Sequence, residues 1–259
     1  VAENLGVSYD EVLLTNGSDE ILNFAFMAFG DEKNPFAFPS ISYGFYPVFA
    51  ALNRIPYKEI PLKDDFTIDV DAFCGVDGCV FIANPNAPTG ISIPLSDIEK
   101  IAAANADNVV VIDEAYIDFG GESAVKLIDK YDNLLVVRTF SKSRSLAGAR
   151  LGFAIASKEI IRDLNTIKYS TNPYNVNAMT MAAGIGVLED EEYIETVEGF
   201  IAEGQGAAAA VMSAARSFEA MFADLDDEYL SARAVDIKDV SGRIFRLISG
   251  VGESTADFD

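Results

Sequence analysis

Apolar and polar positions in the first 187 residues follow two alternating patterns. Nearly continuous apolar runs occur at CVFIA (79–83), NVVVID (108–113), NLLVVRTF (133–140) and LGFAIAS (151–157). Segments of helical spacing separate or follow these runs, at 95–105, 157–166 and 177–188. Continuous apolar runs are typical of strands buried on both faces, and their alternation with helices predicts an α/β fold with a mostly parallel sheet.

The earlier part of the chain fits the same pattern. NGSDEILNFAFMAFG predicts a turn followed by a buried helix, and PFAFP predicts a short strand. YGFYPVFAALN has helical spacing, and YKEIPL predicts a further strand. After about residue 188 the sequence becomes acidic, Ala-rich and helix-forming, without proline, so we expect a domain boundary within 187–195. Residue 1 is not Met and lies in a helix-like stretch, which favours a preceding N-terminal segment.

Composition narrows the classes of function. The formal net charge is −22, which opposes binding to a nucleic-acid backbone. No apolar run is long enough to span a membrane, and the first residues lack a signal-peptide pattern, so we expect a cytoplasmic protein. Cys74 and Cys79 are expected to be free thiols without a metal. The chain has no histidine, so acid–base chemistry must use Lys, Tyr, Asp, Glu or Cys.

Three sites next to predicted strands are candidates for catalysis or ligand binding. Lys142, in TFSKSRSLAGARLGF, is either a solvated loop charge or a covalent tether for an aldehyde cofactor. Gly17 and Ser18 follow LLTN and open a helix, where they either bind a phosphate or form a plain N-cap. Asp113 ends an apolar strand, where it either holds a protonated ring nitrogen or caps a turn.

Two further features leave alternatives open. NPNAPTG (84–90) follows the strand CVFIA and predicts a rigid turn, with a cis peptide as one alternative. Tyr43 is either a core aromatic or a face on which a ring stacks.

Four motifs in order carry a family resemblance. NGSDEIL, NPNAPTG, VIDEAY and TFSKSRSLAGARLGF resemble the fold-type I aminotransferases that use pyridoxal 5'-phosphate, and the likeness is greatest to the histidinol-phosphate aminotransferase group of histidine biosynthesis. The resemblance implies that residues 1–187 form the pyridoxal-phosphate-binding large domain, with helices on both faces of the sheet. It also implies amino-acid and oxo-acid substrates, with 2-oxoglutarate as amino acceptor, and a homodimer.

The resemblance also implies roles for individual residues. Lys142 would bind the cofactor aldehyde and move a proton during transfer, with Asp113 and Tyr116 as its catalytic partners. Asp113 would keep the ring nitrogen protonated, and Tyr116 would donate to the ring phenolate oxygen. Arg150 would pair with the phosphate. The implied cofactor-binding set is Gly17, Ser18, Asp19, Tyr43, Asn86, Asp113, Tyr116, Thr139, Ser141, Lys142 and Arg150.

One position departs from the family pattern. The family commonly reads Asn-Asn-Pro-Thr-Gly, and the Asn directly before Pro contacts the phenolate oxygen. Ala87 stands at that position here, and Asn86 comes one residue earlier. Either Asn86 reaches round to the ring, or that hydrogen bond is missing.

Residues 188–259 do not resemble the small domain of the aminotransferases. LDDEYLSARAVDIKDVSGRIFRLISG resembles instead the helical region of Enzyme I of the phosphoenolpyruvate-dependent sugar phosphotransferase system. This likeness predicts a chimera joined within about 187–194 that holds pyridoxal phosphate but transaminates poorly. The alternatives are a non-catalytic fragment or helical interaction module with a vestigial cofactor site and, within the family, an amino-acid phosphate decarboxylase.

Overall fold

The computed structural model describes residues 1–223, 238, 241–242, 244–246 and 248–249. The chain divides into two compact units, and the second begins at Ile185. The strands are β1 Val12–Asn16, β2 Phe36–Pro39, β3 Tyr57–Ile60, β4 Cys79–Ala83, β5 Val110–Asp113, β6 Leu134–Thr139 and β7 Leu151–Ala156. The α-helices are α1 Ala2–Leu5, α2 Ser18–Phe29, α3 Tyr46–Asn53, α4 Leu95–Ala104, α5 Lys158–Thr171, α6 Ala178–Ala202 and α7 Ala207–Ala223.

The strands of the first unit form one mixed sheet in the order β1-β7-β6-β5-β4-β2-β3. The pairs β2–β3, β2–β4, β4–β5 and β5–β6 are parallel, whereas β7 runs antiparallel to both β6 and β1. The segment 140–150 between β6 and β7 contains only a short 3₁₀ turn, Ala147–Ala149. A parallel return needs a longer crossover, so the chain returns antiparallel.

Burial explains the apolar runs seen in the sequence. Every residue of β4, β5, β6 and β7 is buried. Helices cover both faces of the sheet, so these strands have no polar side to present to solvent. The predicted α/β fold with a mostly parallel sheet is confirmed. The helices predicted at 157–166 and 177–188 are longer than expected and extend to Thr171 and Ala202.

An aromatic cluster forms the core on the face covered by α2 and α3. The ring of Phe81, on β4, lies 4.9 Å from that of Phe26, 5.0 Å from that of Phe36 and 5.2 Å from that of Tyr46, measured between centroids. All four side chains are fully buried. This packing fixes α3, and hence Tyr46, against the middle of the sheet.

The described part of the second unit is helical. In it, the Tyr193 hydroxyl donates to the carbonyl of Val211 at 3.1 Å, and the Tyr193 ring lies 5.6 Å from that of Phe218. Most of the segment 225–250, on which the likeness to Enzyme I was based, lies outside the described residues. The proposed division at 187/188 therefore stays a prediction. Among the described residues, no helix combines the length and the apolar character that crossing a membrane requires.

Replacing Phe81 with Ala is expected to lower the free energy of unfolding by about 3–5 kcal/mol, because it leaves a cavity among three buried rings. Urea unfolding followed by circular dichroism measures this change. Tyr174→Ala is the matched control, since the Tyr174 side chain is 94% exposed. A loss of equal size in both variants would contradict the assignment of Phe81 to the core.

Candidate active site

A pocket of about 120 Å³ lies at one edge of the sheet of the first unit. Strands β4, β5 and β6 end there, and α2 begins there, since β1 runs parallel to these strands and leads directly into α2. Binding groups gather at the carboxyl ends of strands in open α/β sheets. The pocket is lined by Ser18, Asp19, Tyr43, Ala83, Pro85, Ala87, Asp113, Ala115, Tyr116, Thr139, Ser141, Lys142 and Arg150.

Asp113 is the most buried ionisable group of the pocket, with 4% of its surface exposed. Its Oδ2 accepts a hydrogen bond from the Tyr46 hydroxyl at 3.0 Å, and its Oδ1 accepts one from the amide of Ala115 at 3.2 Å. Burial raises the pKa of Asp113 to about 6, although these two hydrogen bonds act to lower it. The carboxylate would therefore gain from a cationic partner in the pocket.

Sequence reasoning missed Tyr46. The side chain is fully buried, and burial followed by the charge of Asp113 raises the pKa of its hydroxyl well above the usual value. Tyr46 is thus a hydrogen-bond donor that fixes the orientation of Asp113. The available signal was a second tyrosine, Tyr46, three residues after Tyr43 in YGFY.

Two glycines beside Ser18 allow close contacts that a larger residue would prevent. Gly17 has a φ of 77°, and a Cβ on it would lie 2.5 Å from Nη2 of Arg150. A Cβ on Gly152 would lie 2.5 Å from the amide nitrogen of Ser18. Glycine at both positions lets β7 and Arg150 pack directly against the start of α2.

Four groups next to this turn can bind an anion. Ser18 opens a helix of 12 residues, whose N-terminal amides favour negative charge. The Ser141 amide donates to the Thr139 hydroxyl at 3.2 Å, and the Thr139 hydroxyl donates to that of Ser141 at 3.0 Å. Arg150 points its Nη2 towards Asp19, 3.6 Å from Oδ2. Together they offer hydroxyls, amides and a guanidinium to one side of the pocket.

Lys142 and Tyr116 lie together at the mouth of the pocket. The Lys142 Nζ is 4.9 Å from the centroid of the Tyr116 ring, a distance at which an ammonium interacts with a ring face. Lys142 is exposed, so its amine is accessible to a small molecule entering the pocket.

Tyr43 lines the pocket and is held by Asp19. Its hydroxyl donates to Oδ1 of Asp19 at 2.9 Å, and burial followed by this carboxylate raises the pKa of Tyr43. The ring meets that of Tyr46 edge-on, at 5.6 Å between centroids. Tyr43 is therefore partly a core aromatic and partly a pocket wall.

Among the residues predicted to bind the cofactor through a side chain, Asn86 alone does not line the pocket. Its Nδ2 donates to the carbonyl of Ile41 at 3.0 Å and to the Thr89 hydroxyl at 3.2 Å, and its Oδ1 accepts from Ser42 at 2.8 Å. Asn86 is buried inside its loop, and Ala87 lines the pocket. The Asn84–Pro85 and Ala87–Pro88 peptide bonds are both cis.

Comparison with known proteins gives the class of this chain. A family model described as aminotransferase class I and II matches residues 2–233. The chain therefore belongs to the class I and II aminotransferase family. The match extends past the join predicted within 187–194, and the predicted likeness to Enzyme I has no support in these comparisons.

Individual relatives point to one activity within that family. The chain is 51% identical over 196 residues to the histidinol-phosphate aminotransferase of Brachyspira hyodysenteriae, covering 75% of this chain and 55% of the relative. It is 51% identical over 195 residues to that of Clostridium acetobutylicum, with the same coverage. The chain thus spans about half the length of the curated relatives that it matches.

A solved structure shares the fold. The histidinol-phosphate aminotransferase from Sinorhizobium meliloti, in complex with pyridoxal-5'-phosphate, matches with a TM-score of 0.68 at 25% identity, over 76% of this chain and 56% of that one. The structure from Clostridium acetobutylicum matches with a TM-score of 0.63 at 25% identity, over 76% and 64% of the two chains.

Replacing Asp113 with Asn is expected to change how stability depends on pH. The pKa of Asp113 is raised from 3.8 to about 6 in the folded protein, so the folded state binds the proton more tightly than the unfolded state does. Its contribution is fully present below about pH 4 and is lost as the pH rises through 6. Relative to the unsubstituted protein, Asp113→Asn should therefore gain on the order of 2–3 kcal/mol between pH 4 and 7.

Urea unfolding at a series of pH values measures this difference. Asp65→Asn is the matched control, because Asp65 is exposed and its pKa is lowered, chiefly by a hydrogen bond from Thr67. A constant difference between Asp113→Asn and the unsubstituted protein across pH 4–7 would contradict the raised pKa.

Proposed function

We propose that this chain belongs to a pyridoxal-phosphate-dependent aminotransferase that transfers the amino group of histidinol phosphate to 2-oxoglutarate. The observation that carries the proposal is a single pocket that contains Lys142, Asp113 and Arg150. The two curated relatives described above carry the name of this activity, at 51% identity.

The donors in the pocket fit the cofactor's phosphate. A phosphate dianion needs amides, hydroxyls and a forked cation, and Ser18, Ser141 and Arg150 supply these on one side of the pocket. Gly17 and Gly152 keep that side free of further side chains. We assign Thr139 and Asp19 to holding Ser141 and Tyr43 in place, since each bonds to that neighbour.

The cofactor also needs an anionic partner for its protonated ring nitrogen, and we assign Asp113 to this role. Its carboxylate is buried and accepts a hydrogen bond from Tyr46. In the part of the chain that the structure describes, no cation forms an ion pair with it, and the charge of Lys142 acts on it only weakly. Once bound, pyridoxal phosphate supplies an aldehyde and an electron-withdrawing ring. The charge of Asp113 would keep that ring protonated and so sustain its electron-withdrawing power.

We assign Lys142 to the aldehyde and to proton transfer. Its amine is accessible at the pocket mouth, and a lysine amine is the group that condenses with a carbonyl, with loss of water. We assign Tyr116, beside Lys142, to donating to an oxygen on the ring, and Tyr43 to a wall against which the ring lies. The hydrogen bonds of Asn86 with Ser42 and Ile41 favour the alternative in which Ala87 leaves the usual hydrogen bond unmade.

Adding pyridoxal phosphate and then borohydride is expected to fix a phosphopyridoxyl group on the peptide that contains Lys142. Mass spectrometry of the digested protein locates the group. Lys142→Ala should lose the label, whereas Lys126→Ala, which removes an exposed lysine paired with Glu122, should keep it. Equal labelling of the unsubstituted protein and Lys142→Ala would refute the assignment.

Protein loaded with pyridoxal phosphate and not treated with borohydride, since reduction blocks the reaction, can then be tested for amino transfer. With histidinol phosphate and 2-oxoglutarate, formation of glutamate supports the proposed reaction. Release of carbon dioxide from an amino-acid phosphate supports the decarboxylase alternative instead. Retained labelling without either product supports a cofactor-holding fragment.

We also propose that the protein forms a homodimer. Val48 and Leu52 on α3, and Phe45 directly before its first residue, are spaced to share one face, and Phe45, Val48 and Leu52 are 49%, 49% and 69% exposed. Contiguous exposed apolar side chains typically mark an interface. The face adjoins the pocket, since the Phe45 ring stacks on that of Tyr43 at 5.7 Å between centroids.

Introducing a charge on this face should separate the subunits. Leu52→Lys is expected to shift the sedimentation coefficient from that of a dimer to that of a monomer, because an ammonium would be buried without a partner. Met179→Lys is the control, since Met179 is also exposed but lies on α6. A monomeric unsubstituted protein, or an unchanged dimer in Leu52→Lys, would count against this interface.

A further inference from the structure

A cluster of four charged side chains lies beside the pocket without lining it. Asp118, in the short 3₁₀ turn Ile117–Phe119, is its centre. Its Oδ1 accepts from Nη2 of Arg138 at 3.1 Å, and its Oδ2 accepts from Nη1 of Arg144 at 2.8 Å. Arg138 also lies 3.3 Å from Oε2 of Glu114, measured from its Nε.

The cluster is largely shielded from water. The side chains of Glu114, Arg144 and Arg138 are 0%, 9% and 11% exposed, and that of Asp118 is 26% exposed. Among the described residues of the cluster, two carboxylates face two guanidiniums. Glu114 is held further by hydrogen bonds from the Ser123 hydroxyl at 2.8 Å and from the amide of Ala124 at 2.6 Å.

The contacts of Asp118 reach both sides of Lys142. Ser143, the next residue, donates its hydroxyl to Oδ2 of Asp118. Arg144 follows directly, and its guanidinium lies over the Phe140 ring at 5.1 Å from the centroid. Arg138 connects Asp118 to β6, the strand that leads into the lysine loop, residues 140–146. Asp118 thus fastens this loop to the end of β6 and to the turn that follows Tyr116.

We infer that Asp118 is a positioning residue for Lys142, because it anchors the two residues after the lysine to the wall of the pocket. The inference rests on the proposed function of Lys142. An exposed lysine on an unrestrained loop would sample many positions, and orientation towards a reacting group is worth a large part of a catalytic barrier. Asp118 itself touches neither the pocket nor Lys142, so it acts only through the loop.

Replacing Asp118 with Asn tests this role, since Asn keeps only one acceptor oxygen. Either Arg138 or the pair Ser143 and Arg144 then loses its hydrogen bond to residue 118. Amide hydrogen exchange in the lysine loop is expected to become about tenfold faster, the size expected for losing a hydrogen bond to a charged group. The informative amides are those of Ser145 and Leu146, which donate to the carbonyls of Lys142 at 3.1 Å and Phe140 at 2.9 Å.

Ser143→Ala is the milder variant, because it removes one hydroxyl and leaves all four charges of the cluster in place. It should accelerate the same amides to a smaller extent without unfolding the protein. Glu122→Gln is the matched control, since it breaks an exposed ion pair with Lys126 in the same connection between β5 and β6. Its loop exchange should equal that of the unsubstituted protein.

Labelling at Lys142 provides a second measurement. Asp118→Asn is expected to reduce the phosphopyridoxyl label by about tenfold at a limiting cofactor concentration, and Asp118→Glu, which keeps the carboxylate, should restore part of it. Unchanged exchange in both Asp118→Asn and Ser143→Ala, or faster exchange spread evenly over the protein in both, would overturn the role of Asp118. Absence of label in the unsubstituted chain would overturn the cofactor proposal instead, since exchange is measured without cofactor.

Discussion

The site depends on keeping one carboxylate, Asp113, out of water at the end of a fully buried strand. An isolated buried charge is costly, and the protein offsets this cost with the Tyr46 hydroxyl and the amide of Ala115. Tyr46 can reach Asp113 only because the aromatic core fixes α3 against β4. The same packing that stabilises the sheet therefore orients the acid of the pocket.

The charges around the pocket are arranged in two groups. Inside it, Asp113 and Asp19 are accompanied by Lys142 and Arg150, all of them within reach of an incoming molecule. Beside it, Glu114 is paired with Arg138, and Asp118 is paired with Arg138 and Arg144. Two adjacent residues therefore differ in role. The carboxylate of Asp113 faces the pocket and can pair with a bound cation, whereas that of Glu114 is already paired with Arg138. Burial raises the pKa of Glu114 to about 7, against the opposing effect of Arg138, so pairing only partly offsets its desolvation.

The sequence was sufficient for the features that depend on local pattern. Continuous apolar runs predicted β4, β5, β6 and β7, because strands covered on both faces have no polar side. The end of a predicted strand then singled out Asp113, and the family motifs added Thr139, Lys142 and Arg150. The direction of β7, the partner of Asp113 and the inward turn of Asn86 were not predictable in this way. Each depends on contacts between segments distant in the chain, such as Tyr46 with Asp113 or Ser42 with Asn86.

Holding a cofactor and turning over a substrate make different demands on this fold. Every described residue that lines the pocket falls between Ser18 and Arg150, within the first unit. The groups that we assign to a phosphate and a ring nitrogen are therefore held by that unit's own sheet and helices. The proposed amino transfer would require in addition that a substrate be held in line with Lys142, and alignment contributes roughly 7–11 kcal/mol to such reactions. Cofactor binding and turnover can thus be lost separately. The inferred anchoring of the lysine loop by Asp118 would affect both, because Lys142 is proposed to bind the cofactor and to transfer the proton.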